Sequence, residues 1–197
     1  MEAKDVINLP RPKTSGAMSL EEAVSKRRSI RSFASKELSL EQISQLLWAT
    51  QGITEEGRGF RAAPSAGALY PLEIYLLKND GVFHYDIKGH SLNRTGARDV
   101  RSEIVRAAWG QSFIKQAPVS IVISAVRSRV TARYGERGNR YVDIEVGHAA
   151  ENLHLQAVAL GLGSVPIGAF TDGEVQKILG LPRDRDPIYI IPVGYEK

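Results

Sequence analysis

Cysteine is absent from the 197-residue sequence, and other features that would narrow its function are absent as well. Without a thiol the chain cannot form a disulfide scaffold, a cysteine-ligated zinc or iron–sulfur site, or a cysteine nucleophile. No apolar run approaches the ~18 residues of a membrane-spanning helix. The opening segment, MEAKDVINLPRPK, carries charges where a secretory signal has its apolar stretch. These absences predict a cytoplasmic protein without a membrane partner, whose chemistry comes from a bound cofactor or from other side chains.

Three common chemical motifs are missing too. No G-x-G-x-x-G follows a predicted strand, no G-x-x-x-x-G-K-[ST] occurs, and no serine lies in G-x-S-x-G. The four histidines are scattered, although His148 and His154 share a predicted helix with Glu145 and Glu151 at three-residue steps. Glu-x-x-His is a di-iron element only where further glutamate-bearing helices complete the site. Those helices are absent, so the sequence predicts no metal.

Positive charge is in modest excess, with 26 Lys and Arg against 22 Asp and Glu and a formal net charge of +4. Arginine outnumbers lysine by 17 to 9. Because guanidinium groups bind phosphate with paired hydrogen bonds, this excess favours an anionic ligand. Nucleic acid would fit the same composition, and surface ion pairing is the alternative that needs no ligand.

Hydrophobic periodicity and capping signals predict one α+β domain, residues 18–197, after an extended arm, residues 1–17, in which Pro10 and Pro12 disfavour helix. Ser39 and Gln42 form a capping-box pattern, residues 55–61 read as a charged loop, and Asp172 is the predicted cap of the last helix. Predicted helices span 19–28, 39–52, 99–108, 142–160 and 173–179, and predicted strands span 72–77, 82–87, 118–126, 164–170 and 188–193.

Three segments carry candidate chemistry. The run from Arg27 to Phe33 places three guanidinium groups and two hydroxyls within reach of one phosphate, although cations are also common at a helix carboxyl end. The segments 63–71 and 161–170 are rich in small residues, which let backbone N–H groups approach a flat ligand. Taken alone, the segment 63–71 is better explained as an ordinary tight loop.

In this order, RRSIRSF, PSAGALYP and GLGSVPIGAF resemble the nitroreductase-like flavin proteins. The resemblance is closest to the branch of azoline-forming peptide dehydrogenases of the SagB and ThcOx type, and it extends from Leu9 to Gly194. It implies an α+β fold with a central, mostly antiparallel sheet flanked by helices. It also implies an intertwined homodimer with two FMN sites at the subunit interface.

The resemblance also implies which residues hold FMN. Arg27, Arg28, Ser29 and Arg31 would hold the phosphate and ribityl chain, and Pro64, Ser65, Ala66, Gly67 and Ala68 would reach the ring from the other subunit. Gln111 would meet the pyrimidine edge of the flavin. The ring would lie along Pro166, Ile167, Gly168 and Ala169, with the Gly168 N–H directed at N5. Lys197 would serve as the basic residue after the final strand. Ala68 stands where many relatives have asparagine.

The implied reaction passes hydride from NAD(P)H through flavin N5 to a small acceptor of nitroaromatic or quinone type, by a ping-pong mechanism. No side-chain acid or base is required, so no catalytic side chain is assigned. Arg133 and Tyr134 are assigned to the substrate slot, where azoline-forming relatives carry Lys-Tyr. Arginine is a poor general base, which favours the reductase. A peptide azoline dehydrogenase and a flavin-binding protein with incidental redox activity stay open, and no nucleic-acid partner is expected.

Overall fold

A seven-stranded sheet organises residues 6–197, the part of the chain that the computed structural model describes. Every pairing in it is antiparallel, and the spatial order is β1-β6-β5-β4-β7-β9-β8. Two further strands, β2 and β3, form a separate hairpin. The strands are β1 (Val6–Asn8), β2 (Ile53–Glu55), β3 (Phe60–Arg61), β4 (Leu72–Lys78), β5 (Gly81–Asp86), β6 (Ser91–Gly96), β7 (Val119–Ala125), β8 (Gly163–Ser164) and β9 (Asp186–Gly194).

Seven helices surround this sheet within the described residues. Ser19 caps the first, and Ser39 with Gln42 forms the predicted capping box on the second. The helices are α1 (Leu20–Lys26), α2 (Leu40–Gln51), α3 (Arg101–Ala107), α4 (Phe113–Gln116), α5 (Ser128–Tyr134), α6 (Arg137–Ala159) and α7 (Asp172–Leu179).

Both faces of the sheet are covered, because alternate side chains of the central strands point to opposite sides. On β4, Ile74 and Leu76 enter the core that includes the buried residues of α2 and α6. Tyr75 and Leu77 enter the other core, which includes residues of α3, α4 and α7. The 23-residue α6 therefore lies on one face of the sheet, and it contacts α1, α2, α5 and β8.

Several elements differ from the sequence-based predictions. The predicted 55–61 loop contributes to the β2–β3 hairpin, and β6, α4 and α5 form where no element was predicted. The polar sequence SLNRTG of β6 gives no strand signal, and β6 is held between β1 and β5 by backbone hydrogen bonds. α4 and α5 span only four and seven residues, too short for a clear periodic signal.

Boundaries near the candidate segments also shift. The predicted strand 164–170 shortens to Gly163–Ser164, because Pro166 has no N–H to donate to the ladder, and only Ile167 pairs again, with Ile190. α6 begins five residues before the predicted position 142. The cap of α7 is Thr171, and Asp172 is its first helical residue. In the predicted arm, residues 1–5 lie outside the described part and Val6–Asn8 pairs with β6.

Candidate functional site

The cationic segment, residues 27–31, is fastened to the sheet edge at β8. Ser29 forms a parallel bridge with Ser164, and the Ile30 N–H donates to the Ser164 carbonyl oxygen at 3.1 Å. The contact is so close that a Cβ added to Gly163 would lie 2.7 Å from the Ile30 Cβ. The end of α1 is therefore held in place by backbone contacts across more than 130 residues of sequence.

Among the described residues, most of the charge on this segment is free of carboxylate partners. Arg28 Nη1 donates to the carbonyl oxygens of Ser25 and Arg27, at 3.0 and 2.7 Å. Arg27 Nε lies 3.8 Å from an oxygen of the exposed Glu151. Within residues 6–197 neither Arg28 nor Arg31 pairs with an acidic side chain. The segment therefore presents positive charge that an anionic ligand can neutralise.

The chain terminus runs beside the same segment. The Lys197 N–H donates to the Ser32 carbonyl oxygen at 3.2 Å, and the Ala34 N–H donates to the Tyr195 carbonyl oxygen at 2.8 Å. These contacts bring Lys197 near Arg31, as the assignment of Lys197 to the same phosphate requires.

A buried histidine, His154, lies behind the segment. His154 Nδ1 is 2.7 Å from Ser164 Oγ, and His154 Nε2 has no hydrogen-bond partner within the described residues. Burial, helped by the positive charge of Arg27, lowers the pKa of His154 to about 4, so the ring is neutral at pH 7. The sequence places His154 in a Glu-x-x-His pattern but predicts no metal there, and in the structure the hydrogen-bond partner of His154 is Ser164.

The segment that follows β8 presents backbone donors. Gly168 and Ala169 are exposed, and within residues 6–197 no acceptor contacts either backbone N–H. Gln111 Nε2 donates to the Ala169 carbonyl oxygen at 3.1 Å, so the predicted contacts of the ring and of its pyrimidine edge adjoin each other. Trp109, which the sequence did not single out, is largely exposed two residues before Gln111. Free N–H groups beside an open surface suit the polar edge of a planar ligand.

The loop from Pro64 to Ala68 is strained. Gly67 and Ala68 have φ of 63° and 54°, and Tyr70 just beyond has 48°. Left-handed backbone suits glycine but costs other L-residues roughly 1–2 kcal/mol. The Tyr70 N–H donates to Ser65 Oγ at 2.9 Å, which holds the turn closed. Strain of this kind persists where surrounding contacts enforce it, and it is frequent at ligand-binding sites.

The predicted substrate-slot residues lie against this loop. A Cβ added to Gly67 would be 2.8 Å from the Tyr134 hydroxyl oxygen and 3.0 Å from Arg133 Nη1. The Tyr134 ring packs edge-on against Tyr141 of α6, with 5.2 Å between ring centroids. Any residue larger than glycine at position 67 would therefore displace Arg133 and Tyr134.

Within one chain, the predicted site residues fall into two groups. The loop group (64–68, 133 and 134) contacts the first half of α6. Of the cationic group (27–31, 111, 166–169 and 197), Arg27 contacts the second half of α6, at Glu151. Tyr141 and His154 mark these two ends, and thirteen residues of helix separate them by roughly 20 Å along the axis. No hydrogen bond or ion pair among the described residues joins the groups.

Ala68→Asn is expected to raise the free energy of unfolding by about 1 kcal/mol, because asparagine tolerates left-handed backbone better than alanine does. Urea denaturation of the two proteins measures the difference. Ala66→Asn, in the same turn but without a positive φ, is the control and should give no gain. Equal effects at both positions would show that strain at Ala68 is not the cause.

Comparison with known proteins decides the family. The sequence profile of the nitroreductase family matches residues 24–195. The chain belongs to the nitroreductase family. It is 45% identical over 181 residues to MJ1384 of Methanocaldococcus jannaschii, which is named as a nitroreductase, with 89% of this chain and 90% of that protein covered. The chain is accordingly a nitroreductase-family oxidoreductase.

Structural comparison gives the same family. A Ralstonia eutropha JMP134 crystal structure, also named as a nitroreductase, superposes with a TM-score of 0.89 at 31% identity, covering 98% of this chain and 90% of that one. The predicted α+β nitroreductase fold with its central antiparallel sheet is therefore confirmed.

A relative of the SagB-type branch, which the sequence resembles, is also found. The microcin B17-processing protein McbC of Escherichia coli is 26% identical over 155 residues, which cover 73% of this nitroreductase-family chain and 57% of McbC. The chain thus matches little more than half the length of that relative.

None of the described helices is long and apolar enough to cross a membrane. Residues 6–197 contain no cluster of three histidine, cysteine, aspartate or glutamate side chains able to hold a metal ion.

Proposed function

We propose that this chain is an FMN-dependent oxidoreductase of the cytoplasm, passing hydride from NAD(P)H to a small organic acceptor of nitroaromatic or quinone type by ping-pong exchange. The observation that carries the proposal is the collection of cationic side chains and free backbone N–H groups around β8. Arg28 and Arg31 lack carboxylate partners, and the N–H groups of Gly168 and Ala169 lack acceptors among the described residues. A ligand with a phosphate at one end and a polar ring at the other would use both sets.

The chain's own residues bind and orient rather than exchange protons. FMN, when bound, supplies hydride chemistry at its ring N5. Arg27, Arg28, Ser29, Arg31 and Lys197 would hold its phosphate through charge-assisted hydrogen bonds. Gln111 and the residues Pro166, Ile167, Gly168 and Ala169 would orient the ring, and donors at its edge would stabilise negative charge on the reduced form. Arg133 and Tyr134 would border the slot that the nicotinamide and the acceptor occupy in turn.

A second copy of the chain would complete the site. One face of α6 is open, with Ile144 47% exposed and Gly147 without a neighbouring atom within 4 Å of an added Cβ. On α1, which contacts α6, Leu20 and Val24 are exposed one turn apart. Such an apolar face suits a subunit interface. A homodimer through it would supply the loop group that lies roughly 20 Å along α6 from the cationic group.

Ile144→Asp is expected to convert the dimer to monomer and to reduce FMN affinity at least tenfold, because a charge would be buried in the apolar interface. Sedimentation velocity and FMN titration measure the two effects. Val6→Asp is the matched control, since Val6 is 53% exposed on the opposite edge of the sheet. Should Ile144→Asp remain dimeric, or become monomeric with unchanged FMN affinity, the interfacial site would be refuted.

The function itself is tested by the absorption spectrum of the purified protein, followed by NADH and NADPH additions without oxygen. Flavin bands near ~370 and ~450 nm that bleach with one nicotinamide, and return with a quinone or nitroaromatic compound, are the expected result. Turnover well above flavin autoxidation would separate an enzyme from a flavin-binding protein with incidental activity. A colourless protein that takes up no added FMN would overturn the proposal.

An azoline dehydrogenase acting on a peptide is the second candidate, and the similarity to McbC favours it. Arg133 argues against it, because a guanidinium cannot take up the proton that a lysine amine could. Flavin bands that bleach with dithionite but with neither nicotinamide would favour this candidate over the reductase.

A further inference from the structure

Glu145 is a buried acid with no part in the proposed function. Its side chain is 2% exposed on α6, between the end of α2 and the Pro64–Ala68 loop. Gln51 Nε2 donates to Glu145 Oε1 at 3.2 Å, and the Ser65 hydroxyl donates a second hydrogen bond to the carboxylate. Glu145 also lines a cavity of about 260 Å³ beneath the loop. A single acid thus joins the helix core to the strained segment.

The contacts continue around the base of the loop as a closed network. Ser65 Oγ, which donates to Glu145, accepts the Tyr70 N–H. The Tyr70 hydroxyl accepts the Arg61 N–H at 3.3 Å, and the Arg61 guanidinium lies 4.4 Å from the centre of the Tyr70 ring. Arg61 Nη1 returns to Gln51 Oε1 at 3.5 Å. The two ends of the strained turn, Ser65 and Tyr70, are therefore held by a network that includes the carboxylate of Glu145. The Tyr70 carbonyl oxygen also accepts from Arg129 Nη1 at 3.1 Å, and Arg129 pairs with Glu73.

The charge on this carboxylate is finely balanced. Burial raises the pKa of Glu145 to about 7, against the opposing effects of the hydrogen bonds from Ser65 and Gln51 and of the positive charge of Arg61. The groups that surround it on the packed elements are Gln51 of α2, Arg61 of β3, Ser65 and Tyr70 of the loop, and Tyr141 and His148 of α6. Arg61 in turn lies near Glu73 and Arg129.

These partners are arranged for the ionised acid. Gln51 and Ser65 both present hydrogens to it, and Arg61 contributes a positive charge. Protonation removes the attraction to Arg61 and turns the charge-assisted hydrogen bonds from Gln51 and Ser65 into weaker neutral ones. Reversing the Gln51 amide would turn its NH₂ towards Arg61, which is also a donor. The protonated acid therefore weakens the network.

We propose that Glu145 is a positioning residue whose ionised form fixes the strained Pro64–Ala68 loop and whose protonation releases it. The consequence for flavin rests on the proposed function: FMN affinity rises as pH increases through neutrality. A one-proton switch centred near pH 7 changes a linked equilibrium by up to about tenfold between pH 6 and pH 8.

Global stability responds in the opposite direction. Because folding raises the pKa of Glu145 above that of the unfolded chain, the folded protein binds the extra proton, and its contribution to stability falls as pH rises from about 4.5 to about 7. Glu145→Gln removes this fall. The variant is therefore more resistant to denaturation than the parent at pH 8, although its loop is less ordered. A residue that merely filled space would not separate these two properties.

Amide hydrogen exchange of the full-length protein tests the inference directly. After correction for the pH dependence of intrinsic exchange, protection of the Tyr70 amide should rise by up to tenfold from pH 6 to pH 8. In Glu145→Gln it should stay low at both pH values. His148→Gln is the matched control, since it removes the histidine that lines the same cavity and should keep the parental profile.

FMN titration at pH 6 and pH 8 is the second measurement. FMN affinity should rise with pH in the parent protein and in His148→Gln, and it should stay low at both pH values in Glu145→Gln. A flat exchange profile in the parent protein, or a profile that Glu145→Gln retains and His148→Gln loses, would overturn the assignment of Glu145. Absence of FMN binding by the parent protein would overturn the proposed function, while the exchange profile would still decide whether Glu145 positions the loop.

Discussion

Replacing both Arg28 and Arg31 with alanine is expected to weaken FMN binding by about two orders of magnitude or more, and to leave riboflavin binding unchanged. Each hydrogen-bonded charge pair with phosphate contributes roughly 1.5–3 kcal/mol, which corresponds to at least about tenfold in affinity per arginine. Neither arginine pairs with a carboxylate within the described residues, so replacing them leaves no described buried carboxylate without its partner. Fluorescence titration with FMN and with riboflavin separates the phosphate contribution from that of the ring.

Arg183→Ala is the control for this double variant. Arg183 is exposed and precedes the first residue of β9. Lys197 and the cationic segment adjoin the last residues of β9, so the nine-residue strand separates Arg183 from them by roughly 30 Å. It removes positive charge without touching the predicted phosphate site. An equal loss of FMN affinity in Arg183→Ala would indicate general electrostatic attraction. Equal losses of affinity for FMN and for riboflavin in the double variant would show that Arg28 and Arg31 do not bind the phosphate.

The sequence predicts local features of the fold well, and it names candidate residues for the site. Capping residues located the starts of α1 and α2, and the β-branched run at 118–126 located β7. The order of three short motifs identified the family. These signals are local because caps, periodicity and small-residue loops depend on neighbours within a few residues.

Contacts between distant segments could not be read in the same way. Nothing in RRSIRSF specifies that Ser29 pairs with Ser164, or that the terminal lysine runs beside Ser32. The partition of the site into two groups along α6 likewise depends on the tertiary fold. Sequence reasoning therefore named the residues but not which of them one chain brings together.

Glu145 shows a signal that was present and passed over. Val142, Val146, Ala149 and Leu153 are buried on α6, and Glu145 lies within this stripe at the three- and four-residue spacing of one helix face. An acid in that position must be hydrogen-bonded or neutral. The pattern therefore could have predicted a buried carboxylate, whereas its partners Gln51 and Ser65 required the structure.

Gly163→Ala is expected to lower the free energy of unfolding by about 1–3 kcal/mol and to weaken FMN binding, because the added Cβ would overpack a tight contact. That atom would lie 2.7 Å from both Cβ and Cγ1 of Ile30, and a β-branched side chain has little freedom to move away. The backbones must separate, which lengthens the hydrogen bond from Ile30 to Ser164 and releases the cationic segment from β8. Urea denaturation and FMN titration measure the two losses.

Gly173→Ala separates this steric effect from the general effect of replacing glycine. Gly173 lies in the first turn of α7, where an added Cβ would meet no atom within 4 Å, so alanine should leave stability unchanged or raise it by less than about 1 kcal/mol. If Gly163→Ala were equally harmless, close packing at β8 would not hold the cationic segment. If it lost stability but kept full FMN affinity, the phosphate would be bound elsewhere. A joint loss ties the contact at β8 to cofactor binding, because Ser29 and Ser164 meet there.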